Sequence, residues 1–134
     1  MAIYHMQAKV VSRGSCRSAV AASAYMSCSR MYYDYDGIQH DYTRKQGLIY
    51  QEVMLPPMAP SEWNDREQLW NAVEETEKTK DSRLAREFVV ALPVELDKDS
   101  NISLLQDFFN KNFVDMGMCA DFSIHNTDGH NPHA

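Results

Sequence analysis

Residues 17–27, RSAVAASAYMS, place four alanines (Ala19, Ala21, Ala22 and Ala24) in one short helical window. A helix this poor in large apolar side chains cannot bury a broad hydrophobic stripe. Its small residues instead let its backbone come very close to whatever it packs on. Such a segment needs a flat, rigid partner, and a β-sheet is the natural one. Ser15 or Ser18 can cap it by accepting an exposed N-terminal N–H, and the helix is expected to run to about Ser29. Near its end stands one large polar-tipped side chain, Tyr25, which the close packing would hold in a fixed place over the sheet.

The 134 residues suit one domain, 1–134, with one core. The apolar share of 44% excludes wholesale disorder. No apolar run reaches the roughly 18–20 residues of a membrane span, and the first residues do not read as a signal peptide. Cys16, Cys28 and Cys119 are odd in number and form no CxxC, which points to a reducing cytoplasm. The net charge of -6 is unevenly spread. Residues 1–48 carry six Lys/Arg against three Asp, and the acid lies downstream. The basic part therefore surrounds Tyr25, and phosphate binding needs only a local positive surface.

Residues 2–11 alternate loosely and read as a strand, followed by a turn at Arg13-Gly14-Ser15. After the alanine-rich helix, residues 31–36 (MYYDYD) read as an aromatic strand ended by a turn at Gly37. Residues 38–47 are polar and expected to be irregular. Residues 48–55 form a second short strand, stopped by Pro56, Pro57 and Pro60. A long helix is expected from Ser61 to about Lys80, with its apolar stripe on Trp63, Arg66, Leu69, Trp70 and Val73. Residues 84–92, LAREFVVAL, are the strongest strand and end at Pro93. A helix over 101–113, capped by Ser100 or Asn101, precedes a strand over 118–125. A turn-rich loop follows, and 131–134 should begin a further strand. This order predicts an α+β fold, an antiparallel sheet with helices mainly on one face.

His125, His130 and His133 lie within nine residues. If 119–125 and 131–134 pair as a hairpin, His125 and His133 face each other and can share a metal ion, although two histidines are too few for a tight site. Solvated turn composition explains the same residues without a metal. Glu87 sits on the strongest strand, where a charge needs a partner: a ligand histidine, whose ring N–H a carboxylate can fix, or, on a solvent-facing side chain, Arg86 or a neighbour. Tyr25 is either a half-buried side chain with its hydroxyl in water, or a nucleophile. In the second case it needs help, because a free phenol titrates near ~10. Arg13, Arg17, Arg30, Arg44 and Lys45 are candidate contacts to single-stranded DNA, with Tyr32, Tyr33 and Tyr35 as stacking platforms. A solvated basic face is the plainer alternative.

Three ordered segments, RGSCRSAVAASAYMS, LAREFVVALPVEL and ADFSIHNTDGHNPHA, together resemble the N-terminal relaxase domain of the MobA/MobL (MobQ-type) plasmid mobilisation proteins. The resemblance spans nearly the whole chain. It implies the HUH endonuclease fold, with a palm-like antiparallel sheet. It implies nicking and rejoining of one DNA strand at a plasmid transfer origin, through a tyrosine that forms a 5′-phosphotyrosine link. Tyr25 matches the family nucleophile, His125 and His133 match two of three metal-binding histidines, and Glu87 matches the acidic residue that positions one of them. His130 matches no ligand.

Two departures stand out. The third histidine would fall one residue beyond Ala134, so the resemblance implies the N-terminal part of a longer protein, with its fold incomplete at the C-terminus. Tyr-Met-Ser-Cys also replaces the usual Tyr-Arg-Ser-Gly. The expected cofactor is a divalent ion, manganese or magnesium first, with zinc, cobalt or nickel open; histidine ligands suit magnesium least. The expected partners are single-stranded DNA at the transfer origin and relaxosome accessory and coupling proteins, in a bacterial, plasmid-bearing cytoplasm. Two other functions fit the same residues: a catalytically incomplete single-stranded DNA-binding fragment, and an HUH replication initiator of the rolling-circle kind.

Overall fold

The computed structural model describes residues 6–126 and 132–134. Residues 2–5 of the first expected strand, and His130 with the rest of 127–131, lie outside the described residues. Two antiparallel pairs form the sheet. β1 (Met6–Ser12) lies against β5 (Arg83–Val90), with Lys9 opposite Glu87 and an irregularity between Val11 and Ser12. β4 (Leu48–Met54) lies against β6 (Ala120–His125).

The short segment 132–134 joins the two pairs. Val90 and Ala134 exchange backbone hydrogen bonds of 2.8 and 2.9 Å, and the Leu92 N–H donates to the Pro132 carbonyl at 2.8 Å. On the other side His125 and His133 exchange bonds of 2.8 and 2.9 Å. The described part of the further strand expected at 131–134, residues 132–134, therefore lies between β5 and β6. The order across the palm is β1, β5, 132–134, β6, β4, antiparallel throughout.

Side chains alternate across a strand, so the two faces of β6 can be read directly. Phe122 and Ile124 pack with Leu92 and with Leu105 of α3 (Lys98–Asn112), and Phe109 stacks on Phe122 at 5.4 Å. Asp121 points the other way, to α1 (Ala19–Met26) and α2 (Arg66–Thr76). Two of the three helices among the described residues thus share one face, as expected. Their core joins Val20 and Ala24 of α1 to Met31 and Tyr33, with Trp70 packed against it.

Four local expectations need correction. Residues 38–47 are not wholly irregular, because β3 (Ile38–Asp41) pairs with β2 (Arg30–Tyr33) in a hairpin that turns through Gly37 at φ +68°. The expected long helix from Ser61 is broken. Ser61–Asn64 is a 3-10 turn, and Asp65, extended at ψ 118°, caps α2 by accepting the Glu67 N–H. α2 also ends at Thr76 rather than near Lys80, because Arg13 gathers the carbonyls of Glu74, Glu77 and Thr79 at its end. Finally, α3 begins at Lys98 and is capped by Asp97, which accepts the Ser100 N–H at 2.7 Å, so neither Ser100 nor Asn101 is the cap.

Candidate functional site

α1 is held at three points. Ser18 caps it by accepting the Ala21 N–H at 3.2 Å. Glu74, buried on α2, accepts the N–H of Ala19 at 2.8 Å. Halfway along, Ser23 donates its hydroxyl to Asp121 at 2.5 Å. Asp121, whose side chain is 2% exposed, also accepts Arg66 Nε at 2.7 Å and Trp70 Nε1 at 2.9 Å. The alanines permit the approach and the two carboxylates lock it.

The helix stops earlier than the expected Ser29. The Ser29 N–H returns to the Ala24 carbonyl at 3.0 Å, and Cys28 adopts the left-handed conformation at φ 52°. This closure ordinarily takes glycine at the left-handed position, since a Cβ is crowded there. The departure Tyr-Met-Ser-Cys thus places a cysteine where the backbone favours glycine.

Tyr25 stands in the last turn and is 52% exposed. The Tyr42 ring packs T-shaped against it, with centroids 5.3 Å apart and planes at 85°. Lys45 Nζ lies 3.8 Å from the centroid of the Tyr25 ring and donates to the Tyr25 carbonyl at 3.2 Å. The nucleophile candidate is therefore about half exposed and gripped at its ring.

The histidine pair adjoins this end of α1. His125 interacts with the backbone of Met26, the residue after Tyr25. The rings of His125 and His133 stack at 5.6 Å. Burial first, then the charge of Lys45 and then His133, push His125 below its ordinary pKa, with the Met26 backbone opposing. At neutral pH its imidazole is neutral and has a lone pair to give. Two adjacent imidazoles fit as part of a metal site. No group of three His, Cys, Asp or Glu that could hold an ion occurs among the described residues, so further ligands would be required.

Among the described residues no imidazole is brought to Glu87. It accepts Arg17 Nη2 at 2.7 Å, and along β5 it lies four residues from Ala91, the residue bridged to His133. That is about 13 Å of strand. Arg13 is not a free basic contact either. Its side chain is 14% exposed, bound to Glu74 Oε2 at 3.0 Å and to the carbonyls that close α2. Tyr33 cannot offer a ring to a base, since it is 5% exposed and donates its hydroxyl to Glu74 at 2.5 Å. Arg30 and Arg44 are exposed on the hairpin side, with Asp41 feeling both charges. Tyr32 and Tyr35 are exposed, and Arg13 lies 5.4 Å from the Tyr35 ring centroid.

Glu74 and Asp121 were not singled out from the sequence. A signal for each was present. Glu74 follows Trp70 by four residues and so falls on the apolar stripe of α2. Asp121 occupies an inward position of an otherwise apolar strand. A charged residue in either place is costly unless it has several partners.

An antiparallel palm that holds a helix-borne tyrosine beside a histidine pair defines a relaxase-like architecture. Residues 17–134 match the MobA/MobL family, and the chain belongs to it. It is 44% identical to the conjugal transfer protein TraA of Agrobacterium fabrum, over 99% of this chain and 13% of that protein. It is 37% identical to the mobilization protein MobL of Acidithiobacillus ferridurans, over 93% of this chain and 32% of that one. It is 36% identical to a probable mobilization protein MobA of Bifidobacterium longum, over 100% of this chain and 24% of that one. The fold matches a solved structure described as "Molecular Basis of Vancomycin Resistance Transfer in Staphylococcus aureus", with a TM-score of 0.91 at 41% identity, covering 98% of this chain and 67% of that one. The chain thus spans a third or less of these curated relatives. No helix among the described residues is long and apolar enough to cross a membrane.

Proposed function

We propose that this chain is the nicking part of a plasmid-transfer relaxase, cutting and rejoining one DNA strand through Tyr25. The observation that carries the reading is the exposed phenol of Tyr25, fixed on a clamped helix whose next residue, Met26, touches His125. Tyr25 Oη attacks the scissile phosphorus, the bond to the 3′ oxygen breaks, and a 5′-phosphotyrosine forms. The phenolic proton is lost and the departing 3′ oxygen gains one, so the step is proton-neutral overall. The phosphodiester energy is kept in the aryl ester, which permits the reverse reaction.

His125 and His133 would hold a divalent ion together with ligands beyond the described residues. Such an ion, when bound, supplies positive charge to offset that of the phosphate. The chain's own part is orientation. The clamp by Glu74 and Asp121 fixes the helix, and the 132–134 segment fixes the histidines. Arg30 and Arg44 are the proposed contacts to single-stranded DNA, with Tyr32 as the stacking surface and Arg17 at the edge beside Glu87.

The test uses single-stranded fragments tiled across the element that encodes the protein, incubated with the protein and manganese. A fragment cut to a free 3′ hydroxyl by the native protein, and left intact by Tyr25→Phe, supports the reading. Cutting by both rejects it. Salt-sensitive binding of fragments without any cutting would instead favour the DNA-binding alternative.

A further inference from the structure

The turn over residues 42–47 is tied at both ends to the two elements that carry the site. The Tyr42 N–H donates to the Ser29 carbonyl at 3.0 Å, just past α1. The Asn126 N–H, just past β6, donates to the Gly47 carbonyl at 2.9 Å. Within the turn the Lys45 N–H donates to the Tyr42 carbonyl at 3.0 Å. Two of its long side chains, Tyr42 and Lys45, close on Tyr25, Tyr42 in a T-shaped ring contact and Lys45 over the ring face.

A lysine that contacts phosphate on a DNA surface is expected to point outward on a flexible stem. Lys45 instead bends back, with its ammonium shared between the carbonyl and the ring of the same residue, Tyr25. A cation over an aromatic face restrains the ring, and the hydrogen bond to the carbonyl fixes the cation in turn.

We propose that Lys45 is a positioning residue for Tyr25, holding the phenol in one direction through its ring face and carbonyl while the Tyr42 ring packs T-shaped against it. This rests on the reading of Tyr25 as the nucleophile. Lys45 acts through the tyrosine and not as one more phosphate contact. A phenol left free about its side-chain torsions would visit the in-line direction only part of the time, so loss of Lys45 lowers the rate of attack more than the affinity for DNA.

The experiment compares the native protein with Lys45→Met, Lys45→Arg and Tyr25→Phe on a cleavable single-stranded fragment. Binding is measured across a salt series and single-turnover cleavage at saturating DNA. Lys45→Met is expected to cut about 10-fold more slowly, with its salt dependence unchanged. Lys45→Arg keeps a cation over the ring and is expected to recover to within about 3-fold of native. A Lys45→Met protein that cuts at the native rate when saturated, but whose salt slope falls by about 0.7, would make Lys45 a phosphate contact and overturn the proposal. Cutting by Tyr25→Phe would reject the nucleophile itself, whatever Lys45 does. Without DNA, the ring current of Tyr25 should shift the Lys45 side-chain proton resonances upfield, and Tyr25→Leu should abolish the shift. Unshifted resonances in the native protein would also overturn the proposal.

Discussion

Ser23 of α1 donates to Asp121 of β6 at 2.5 Å. Ser23 stands two residues before Tyr25, and Asp121 four before His125, on the same face of the strand. One buried carboxylate thus sets the helix of the tyrosine against the strand of the histidine. With Arg66 and Trp70 also donating to it, replacing Asp121 by Ala leaves a largely buried guanidinium without its partner. Asp121→Ala should lose about 3–5 kcal/mol in urea unfolding. Ser23→Ala, which removes one donor only, should lose less, about 1.5–3 kcal/mol. Equal losses would mean that the serine, not the ion pair, carries the joint.

Arg13 closes the end of α2 and neutralises Glu74. Arg13→Ala should therefore destabilise the fold by about 3 kcal/mol. It should leave the salt dependence of DNA binding unchanged. Arg30→Ala and Arg44→Ala should behave in the opposite way, with native stability and a salt slope smaller by about 0.7 each. Fluorescence anisotropy across a salt series, beside urea melts, separates the two patterns.

The Tyr33 hydroxyl is raised to about 12, chiefly by burial and then by its hydrogen bond to Glu74. The unfolded chain gives up that proton near pH ~10 while the folded one keeps it. Stability contributed by Tyr33 is thus full below about pH 10 and lost as pH rises toward 12, by about 2–3 kcal/mol in all. Melting temperatures between pH 9 and 12 should fall more steeply for the native protein than for Tyr33→Phe. Parallel curves would contradict this burial of the hydroxyl.

Cys28 sits in the left-handed region at the exit of α1. Cys28→Gly should relieve the crowded Cβ and stabilise the fold by about 1 kcal/mol, or a few degrees in Tm. A scanning calorimetry trace with no gain, or a loss, would show that the thiol compensates through contacts of its own.

Much of this architecture was legible in the sequence. The alanine spacing gave the close-packed helix, and period-two alternation gave the β1, β4, β5 and β6 strands. The hairpin at 38–41 was hidden because its exposed edge is polar, so its alternation carries no apolar signal. The break at Asp65 was hidden because the residues on either side of it are both compatible with helix. At the site, Tyr25, His125 and His133 stand out in the sequence as candidates, and the structure brings the histidine pair to the end of α1 that carries Tyr25. Arg13 and Tyr33 serve Glu74 instead of facing DNA; the place of Glu74 on the α2 stripe signals that it needs partners, but not which distant elements supply them. The sequence leaves Glu87 a ligand histidine, Arg86 or a neighbour as partner; among the described residues it pairs with Arg17, from outside its own strand.

The central claim is that Tyr25 becomes covalently joined to DNA. The most direct test digests a protein–DNA mixture with trypsin and nuclease and examines the peptide spanning 18–30, which contains Tyr25 as its only tyrosine. With Tyr25 as the nucleophile, this peptide carries a nucleotide phosphate on Tyr25, and the mass shift vanishes in Tyr25→Phe. A nucleotide-bearing peptide that maps elsewhere, or one that persists in Tyr25→Phe, would contradict it.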